Sequence, residues 1–322
     1  MNLPLYRSIR EQYPENPSFP NAALIFARFV EWGDGWQASG EHKRKVFEKI
    51  ADYQADANLL TAFLERQKQQ VDALGGVILE AETLGRFVSG LGDAHPFETG
   101  FTWHRTLGVP YLPGSGVKGA VRAWAEQWSD EEDAARLFGG PSQQGPLVVL
   151  DALPVKPPGL ETDVMTPHYG EYYGKGEPPG DYLSPMPVAF LTVAAGSIFR
   201  FSLIPVGESG EDLVERGAGL LKEALETIGA GAKTSAGYGT FAVKEPKKDL
   251  RFQQMGERIA AMKPDAIGSV PALVDDLANL PAGQERKELA RLIHGRFLAG
   301  KKNSKRRDKP WFQNLQRMRE EG

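Results

Sequence analysis

The chain has 322 residues, of which 41% are hydrophobic and 25% are charged, values that are ordinary for a soluble globular protein. It contains no cysteine, which excludes disulfides and thiolate metal sites and fits a reducing cytoplasm. The sequence has no run of about 18 apolar residues, so no membrane span is expected. The net charge of −4 argues against indiscriminate nucleic-acid binding but permits a local basic groove.

The first 74 residues are predicted to form an arm followed by helices. Residues 1–20 contain four prolines and predict an extended arm, without an apolar signal region at the start. Residues 21–32 predict a short helix and residues 41–74 one long helix, because apolar side chains recur at helical spacing. We expect these helices to cap the main domain.

Residues 75–245 predict a mixed α+β domain. Apolar residues alternate from Val77 and indicate a half-buried strand, which a helix, three strands, a second helix and a final strand follow. The predicted bounds of these later elements are 115–128, 147–151, 187–193, 198–204, 211–228 and 238–243. This order is typical of the ferredoxin-like (RRM-like) arrangement, which RNA-recognition modules also use.

Residues 153–186 interrupt this domain with a long insertion rich in proline and glycine. Four ring-bearing side chains cluster in it: His168, Tyr169, Tyr172 and Tyr173. A long aperiodic insertion is either disordered or functional, and its aromatic content favours an ordered one.

Residues 246–322 predict a small helical domain, with helices over 252–262, 270–280, 285–298 and 311–319. The third helix has a predicted apolar face, formed by Leu289, Leu292, Ile293 and Phe297. The basic run at 301–309 has two open interpretations, a solvated loop or a contact to an RNA backbone.

The most informative motif is Gly-Ala-Lys-Thr-Ser-Ala-Gly-Tyr-Gly at 231–239. Its glycines allow close approach to another backbone. Lys233 offers a charge for a phosphate, Thr234 and Ser235 offer hydroxyls and amides, and Tyr238 offers a ring. The combination suits a polyanion with bases to stack, that is, RNA or DNA. The alternative is a tight connection with no ligand.

A second loop of the same character lies at 111–122. Gly114 ends an extended segment, and Ser115 is predicted to cap a helix whose core face includes Val117, Val121, Trp124 and Trp128. Lys118 and Arg122 share a neighbouring face near the helix start, so the loop predicts an anion site. It is not a phosphate-binding Walker loop, because that motif requires a lysine directly after its closing glycine and then serine or threonine, whereas Ala120 follows Gly119 here.

The two loops together resemble the paired signatures of the RAMP superfamily of CRISPR proteins. The segment Asp-Val-Met-Thr-Pro-His-Tyr-Gly-Glu-Tyr-Tyr from residue 163, with Pro-Pro-Gly-Asp at 178–181 and Phe-Leu-Thr-Val at 190–193, resembles the sixth RAMP subunit of the type III-B (Cmr) effector complex. The resemblance covers about residues 75 to 245. It implies guide RNA, target RNA, and other RAMP and small helical subunits as partners, in a prokaryotic cytoplasm, with no membrane contact and no cofactor.

The resemblance also assigns candidate roles to individual residues. The insertion is the candidate equivalent of the thumb, a β-hairpin that wedges into the guide–target duplex, although its tyrosines could instead pack on the sheet or on a neighbouring subunit. Arg86, His104 and Arg105 are candidates to line the RNA groove, or are otherwise satisfied polar residues.

Evidence for catalysis is weak in the sequence. The five histidines are too scattered for a zinc site, and we expect no metal. Related subunits cleave RNA with an aspartate after the first strand, which makes Asp93 the candidate catalytic acid and His168 a candidate base. We expect a non-catalytic guide-RNA-binding subunit at the 3′-guide end of the complex. The alternatives are an endoribonuclease and a scaffold that contacts only protein.

Overall fold

The structure is a computed structural model, and it describes residues 4, 6–11, 21–30, 32–37, 39–129, 131–140, 142–180, 184–207, 211–244, 250–263, 266–280, 284–298, 306 and 308–320. These residues fall into two compact units, 1–245 and 246–322. Within the described part of the chain, no helix is both long and apolar enough to cross a membrane.

The first unit combines helices with short and long strands. Its helices are α1 (Arg7–Arg10), α2 (Ala22–Arg28), α3 (Gly40–Ala51), α4 (Ala57–Ala73), α5 (Gly114–Trp128), α6 (Glu131–Phe138), α7 (Gly170–Lys175) and α8 (Glu211–Thr227). Its strands are β1 (Val77–Thr83), β2 (Trp103–His104), β3 (Val109–Pro110), β4 (Gly139–Gly140), β5 (Gln143–Gln144), β6 (Leu147–Val149), β7 (Leu153–Pro154), β8 (Leu160–Met165), β9 (Val188–Val193), β10 (Ile198–Pro205) and β11 (Phe241–Lys244).

The main sheet has the order β11–β1–β10–β6, with β7 also paired to β10, and every pairing is antiparallel. Strands β1 and β6 are therefore parallel to each other on either side of β10, and α5 connects them. Strands β10 and β11 are likewise parallel on either side of β1, and α8 connects them. Two interleaved split β-α-β units result, in agreement with the predicted ferredoxin-like core.

Both faces of this sheet are covered, because helices pack on each side. Phe199 and Phe201 project from β10 into the core shared with α8 and are fully buried. Arg200 points to the opposite face, where its guanidinium donates to the carbonyl of Leu64 in α4 at 3.3 Å. Ser202 lies on that second face and is also fully buried, whereas alternation alone predicts a polar, solvent-facing position.

The N-terminal helices join the main core but differ from their predicted bounds. The single helix predicted over 41–74 is wrong, since α3 ends at Ala51 and α4 starts at Ala57. Asp56 starts the second helix by accepting hydrogen bonds from the amides of Asn58 and Leu59, which is the geometry of an N-cap. The helix predicted over 21–32 ends at Arg28. The arm predicted over 1–20 lies mostly outside the described residues, apart from the short helix α1.

The second unit is helical and has its own hydrophobic core. Its helices are α9 (Leu250–Ala261), α10 (Val270–Ala278), α11 (Gln284–Ile293) and α12 (Pro310–Glu320), and a π-helical turn spans His294–Leu298. Ile293 and Phe297 are fully buried as predicted, but Leu292 is 44% exposed and Ala290 takes the core position instead. The basic run at 301–309 lies mostly outside the described residues.

Candidate nucleic-acid interface

The glycines of the loop at 231–239 permit close packing on the chain that follows β1. Gly231 has φ +101°, and a Cβ there would lie 2.5 Å from the Val88 carbonyl oxygen. Gly239 has φ +66°, and a Cβ there would lie 2.1 Å from the Ala230 oxygen. The amides of Ala232 and Gly239 donate to the carbonyls of Val88 and Arg86 at 2.7 and 2.9 Å. The tight connection considered above therefore accounts for these two glycines.

The polar residues of the same loop remain at its surface. Lys233 adopts a left-handed backbone conformation with φ +59°, which is uncommon for a residue with a Cβ. Its Nζ lies 5.7 Å from the ring centre of Phe190 and 6.0 Å from that of Tyr238, within cation–π range. No carboxylate among the described residues forms an ion pair with Lys233. Thr234 is half-buried, and Ser235 is exposed in the turn that follows.

Tyr238 and Arg86 tie this loop to strand β8. The Tyr238 hydroxyl donates to Asp163 Oδ2 at 2.6 Å, and Arg86 donates to the same oxygen at 2.8 Å and to Glu161 Oε2 at 2.7 Å. Partial burial raises the pKa of Asp163, but hydrogen bonds from Tyr238 and from the Val164 amide, with the charge of Arg86, outweigh it and lower the pKa overall.

These contacts affect the exposure of the Tyr238 ring and the pKa of its hydroxyl. The ring is half-buried and lies 6.0 Å from the ring of Phe190, so its position differs from the exposed stacking surface that the sequence predicts. Burial, followed by the hydrogen bond to Asp163, raises the pKa of the Tyr238 hydroxyl. The residue positions the loop against the insertion.

Helix α5 begins after a different capping residue from the one that the sequence predicts. Pro113 is the N-cap and makes no side-chain capping bond, while Ser115 lies inside the helix and is exposed. The predicted cap at Ser115 is therefore wrong. The Gly114 amide instead donates to Asp151 Oδ1 at 2.7 Å. A carboxylate from the next strand connection thus occupies part of the predicted anion site, where the helix dipole favours negative charge.

The two cations of α5 are half-buried. Lys118 Nζ donates to the carbonyl of Leu147 at 3.1 Å, and burial, followed by the charge of Arg122, lowers the pKa of this lysine. Arg122 pairs with Glu126 at 2.7 Å. Further along the helix, Val117 and Val121 are buried as predicted, but Trp128 is 70% exposed, so its assignment to the core is wrong.

The two glycine loops lie at opposite edges of the main sheet. The loop at 231–239 leads into β11, and the start of α5 packs beside the chain that follows β6. Among the described residues, no hydrogen bond, ion pair or ring contact joins the two loops.

His104 and Arg105 lie on the hairpin formed by β2 and β3. His104 Nδ1 accepts from the Leu107 amide at 3.2 Å, and its ring meets those of Phe63 and Tyr111 edge-on at 5.3 and 5.8 Å. Burial lowers the pKa of His104, so the imidazole is neutral near pH 7. Arg105 is exposed and has no carboxylate partner among the residues that the structure describes.

The insertion supplies the first strand and the tip of a regular hairpin, which its lack of periodicity did not predict, and the predicted strand at 187–193 supplies the second strand. Strand β8 pairs with β9 in the register Leu160 with Val193 to Met165 with Val188. His168 and Tyr172 are exposed near the tip, and Tyr169 is half-buried. Tyr173 lies in α7, and its side chain is outside the described set. The exposed rings are open to RNA or to a neighbouring subunit, and the thumb assignment stays a prediction.

The two candidate catalytic residues are far from forming a recognisable site. Asp93 is exposed, and its amide donates to the Gly90 carbonyl at 3.0 Å. His168 is near Tyr169, at a ring distance of 6.3 Å. Within the described ranges, no three histidine, aspartate or glutamate side chains are grouped in a way that could hold a metal ion.

Sequence reasoning missed the acidic residues that organise both loops. Asp151 ends the segment predicted as a strand, and Glu161 and Asp163 lie in the insertion. A possible signal was the position of Asp163 at the start of a family-like motif. Pairing of these acids with Gly114, Arg86 and Tyr238 depends on sheet topology, which no local pattern encodes.

The fold and the paired glycine loops define the class of protein, and comparison with known proteins agrees. The model of the RAMP superfamily matches residues 80–242, and the chain belongs to this superfamily. Its curated relatives include the CRISPR system Cmr subunit Cmr6 of Pyrococcus furiosus, 30% identical over 265 residues, 62% of this chain and 77% of the relative. The Cmr6 subunit of Saccharolobus solfataricus is 25% identical over 254 residues, 76% of this chain and 86% of the relative.

A solved structure supports the same assignment. One chain of the cryo-EM structure of the type III-B Cmr-beta bound to cognate target RNA superimposes with a TM-score of 0.54 and 27% identity. The match covers 63% of this chain and 71% of that chain. The two Cmr6 relatives confirm the resemblance to the sixth RAMP subunit of the type III-B complex.

Proposed function

We propose that the protein is a non-catalytic subunit of a type III-B CRISPR effector ribonucleoprotein, which binds guide RNA and caps the 3′-guide end of the complex in antiviral defence. Its partners are guide RNA, target RNA and the other RAMP and small helical subunits. The similarity to a chain of an RNA-bound Cmr complex supports membership of such an effector. The RNA-binding role rests on the geometry of the cationic loops, and the capping role rests on the family resemblance and on the helical second unit.

The observation that carries the RNA-binding role is the state of Lys233. This lysine is held at a surface loop in a left-handed conformation, above two aromatic rings and without a carboxylate partner among the described residues. A cation in this state is available to a phosphate group. Lys118 and Arg105 also lack carboxylate partners in the described part of the chain, whereas Arg86 and Arg122 are engaged by acids.

The test measures RNA affinity of the full chain and of the assembled complex against salt concentration. The triple variant Lys118→Ala, Arg122→Ala, Lys233→Ala should bind all RNA sequences more weakly, and each lost phosphate contact should flatten the salt dependence by about one unit. Lys233→Ala should account for more of the loss than Arg122→Ala. The control is Lys45→Ala, which removes an exposed lysine paired with Glu41 on α3.

The same samples test the absence of catalysis. Wild-type protein incubated with single-stranded RNA and magnesium or manganese should leave the RNA intact.

Unchanged affinity of the triple variant would refute the RNA-binding role. Cleavage that disappears in Asp93→Ala or His168→Ala would instead favour the endoribonuclease.

A further inference from the structure

The two compact units carry net charges of opposite sign. Residues 1–245 contain 21 lysine and arginine residues against 32 aspartate and glutamate residues, which gives a net charge of −11. Residues 246–322 contain 17 against 10, which gives a net charge of +7. The total of −4 therefore conceals a strongly basic helical unit that follows an acidic one. Such charge asymmetry along a chain indicates a segment that contacts an anionic partner.

The excess of cations is present among the side chains that the structure describes. In the described part of residues 246–322 there are 11 lysine and arginine residues and 7 aspartate and glutamate residues, and none of these cations is buried. Helix α10 contains two acids and no cation, whereas each of α9, α11 and α12 contains more cations than acids. The positive charge is therefore carried by α9, α11, α12 and the segments that join them.

Three exposed cations of this unit have no carboxylate partner among the described residues: Lys263, Arg291 and Lys309. Lys263 directly follows Met262, whose carbonyl accepts a hydrogen bond from the guanidinium of Arg296 at 2.8 Å. Two cations therefore lie beside the end of α9, and one of them, Lys263, is free to meet a phosphate group.

A second group of cations lies where α11 packs on α12. Arg291 precedes His294 by three positions, so the two side chains share one side of the helix. Burial, followed by the charge of Arg319, lowers the pKa of His294. Arg319 donates to Gln316 Oε1 at 2.8 Å and has no carboxylate partner within the described ranges. Positive charge therefore accumulates at the end of α11.

The exposed surface of this unit has few of the apolar side chains that a protein partner needs. The core of a protein interface is apolar and depleted of charged residues. Among the described residues of 246–322, Leu292 is the only large apolar side chain that is exposed, at 44%. A phosphate backbone requires cations but little apolar surface, so it fits this unit better than an acidic protein does.

We propose that the second unit binds the phosphate backbone of RNA, without selecting bases and independently of the two glycine loops. The family model ends at residue 242, so the family match does not extend to this unit. The choice of RNA as the strand rests on the proposed function, whereas the backbone contact rests on the charges alone. Contacts to phosphates carry no sequence information, so the affinity should be the same for strands of different sequence.

The test compares full-length chains that differ only in charge. The triple variant Lys263→Gln, Arg291→Gln, Lys309→Gln should bind single-stranded RNA about tenfold more weakly at low salt. Its salt dependence should be flatter by about two units, because each phosphate contact to a single strand contributes about 0.7. Fluorescence anisotropy across a series of salt concentrations, with several RNA sequences, measures both effects.

A matched control separates a local site from a general effect of net charge. The variant Arg44→Gln, Lys45→Gln, Lys49→Gln removes three exposed cations from α3 in the acidic unit and lowers the net charge by the same amount. It should leave RNA affinity nearly unchanged. An equal loss of affinity in this control would overturn the inference. Thermal unfolding checks that both triple variants fold.

The same three substitutions are also made in the chain that carries Lys118→Ala, Arg122→Ala and Lys233→Ala, and independent sites should give additive losses. A loss from the second-unit variant alone would support the inference and count against the RNA-binding role of the glycine loops. A loss from the loop variant alone would overturn the inference and leave the proposed function standing. Unchanged RNA affinity with failure to join the assembled complex would assign the cations to an acidic protein and also overturn the inference.

Single-stranded DNA of the same sequence distinguishes the two sources of a phosphate backbone. Equal affinity would support a contact to phosphates alone, and weaker binding of DNA would support a contact that includes the 2′-hydroxyl of RNA. Tighter binding of DNA would overturn RNA as the occupant.

Discussion

At the scale of single residues, the state of a charged side chain matters more than its presence in a motif. Arg86 and Lys233 both lie in family-like segments, but Arg86 is held by Glu161 and Asp163, whereas Lys233 rests above two rings without a described acid partner. Tyr238 is likewise held by an acid, because its hydroxyl donates to Asp163, and stacking of its ring on a base stays a prediction. The residues that contact RNA are therefore expected to be a subset of those that the motifs contain.

The substitution Tyr238→Phe tests the positioning role of that hydroxyl. It removes a hydrogen bond to a carboxylate while keeping the ring, so the free energy of unfolding should fall by about 1 kcal/mol near pH 7. Chemical denaturation of both proteins across pH measures this difference. The control is Tyr53→Phe, since Tyr53 lies outside this network.

The pH dependence of that difference follows from the two groups. The pKa of Asp163 is lowered in the folded protein, so its contribution is present above the unfolded value of about 3.9 and is lost as the pH falls through the folded value. The pKa of Tyr238 is raised, so its contribution is present below about 10 and is lost at higher pH. A difference between the two proteins that stays constant from pH 2 to pH 7 would contradict this account.

At the scale of elements, the chain between β7 and β9 forms a hairpin rather than an aperiodic loop. Strand β8 gains its hydrogen bonds from β9, more than twenty residues later in the sequence. Such a partner cannot be inferred from the local pattern, because proline and glycine around the strand dominate the segment. The hairpin brings Asp163 to the glycine loop at its base and exposes Tyr172 near its tip.

The substitution Tyr172→Ala tests whether the hairpin tip contacts bases. Stacking of a base on an aromatic side chain contributes about 1–3 kcal/mol, so affinity of the assembled complex for target RNA should fall about tenfold or more. The ring is 47% exposed, and thermal unfolding checks that the variant folds. The control is Tyr6→Ala, which removes another exposed tyrosine. Equal target affinity in both variants would argue against a thumb.

At the scale of the whole molecule, the chain divides into two units with separate hydrophobic cores. The first unit contains the family match, both glycine loops and the hairpin, and the described residues of the second form helices around residues such as Leu273 and Phe297. The described buried side chains of the second core all lie within residues 255–318, so we expect each unit to fold by itself.

Deletion of residues 246–322 tests the capping role of the second unit. Residues 1–245 should remain folded, as measured by cooperative unfolding and near-ultraviolet circular dichroism, because their core is complete. Reconstituted complexes should lose their fixed length and their protection of the 3′ end of the guide, because unclosed head-to-tail stacking extends without a terminal block. Native mass spectrometry and nuclease protection provide the readouts. If length and protection stay the same, the helical unit is not the cap.

The sequence by itself determined the class of this protein and most of its secondary structure. Spacing of apolar residues located β1, α5, β10 and α8, and the two glycine loops indicated the superfamily, because these signals act over a few neighbouring residues. Asp56 is a residue type that favours a helix N-cap, but apolar residues at helical spacing on both sides of it predicted one continuous helix instead of α3 and α4.

Only the tertiary structure decided which groups are available to a ligand. Sheet order separated the two glycine loops, placed Asp151 against Gly114, and brought Asp163 to Tyr238 and Arg86. It also buried Gln67, a polar residue on a helix that otherwise exposes polar side chains, at the wall of a pocket. These arrangements depend on pairings between residues from 37 to 84 positions apart, and no local pattern of side chains specifies them.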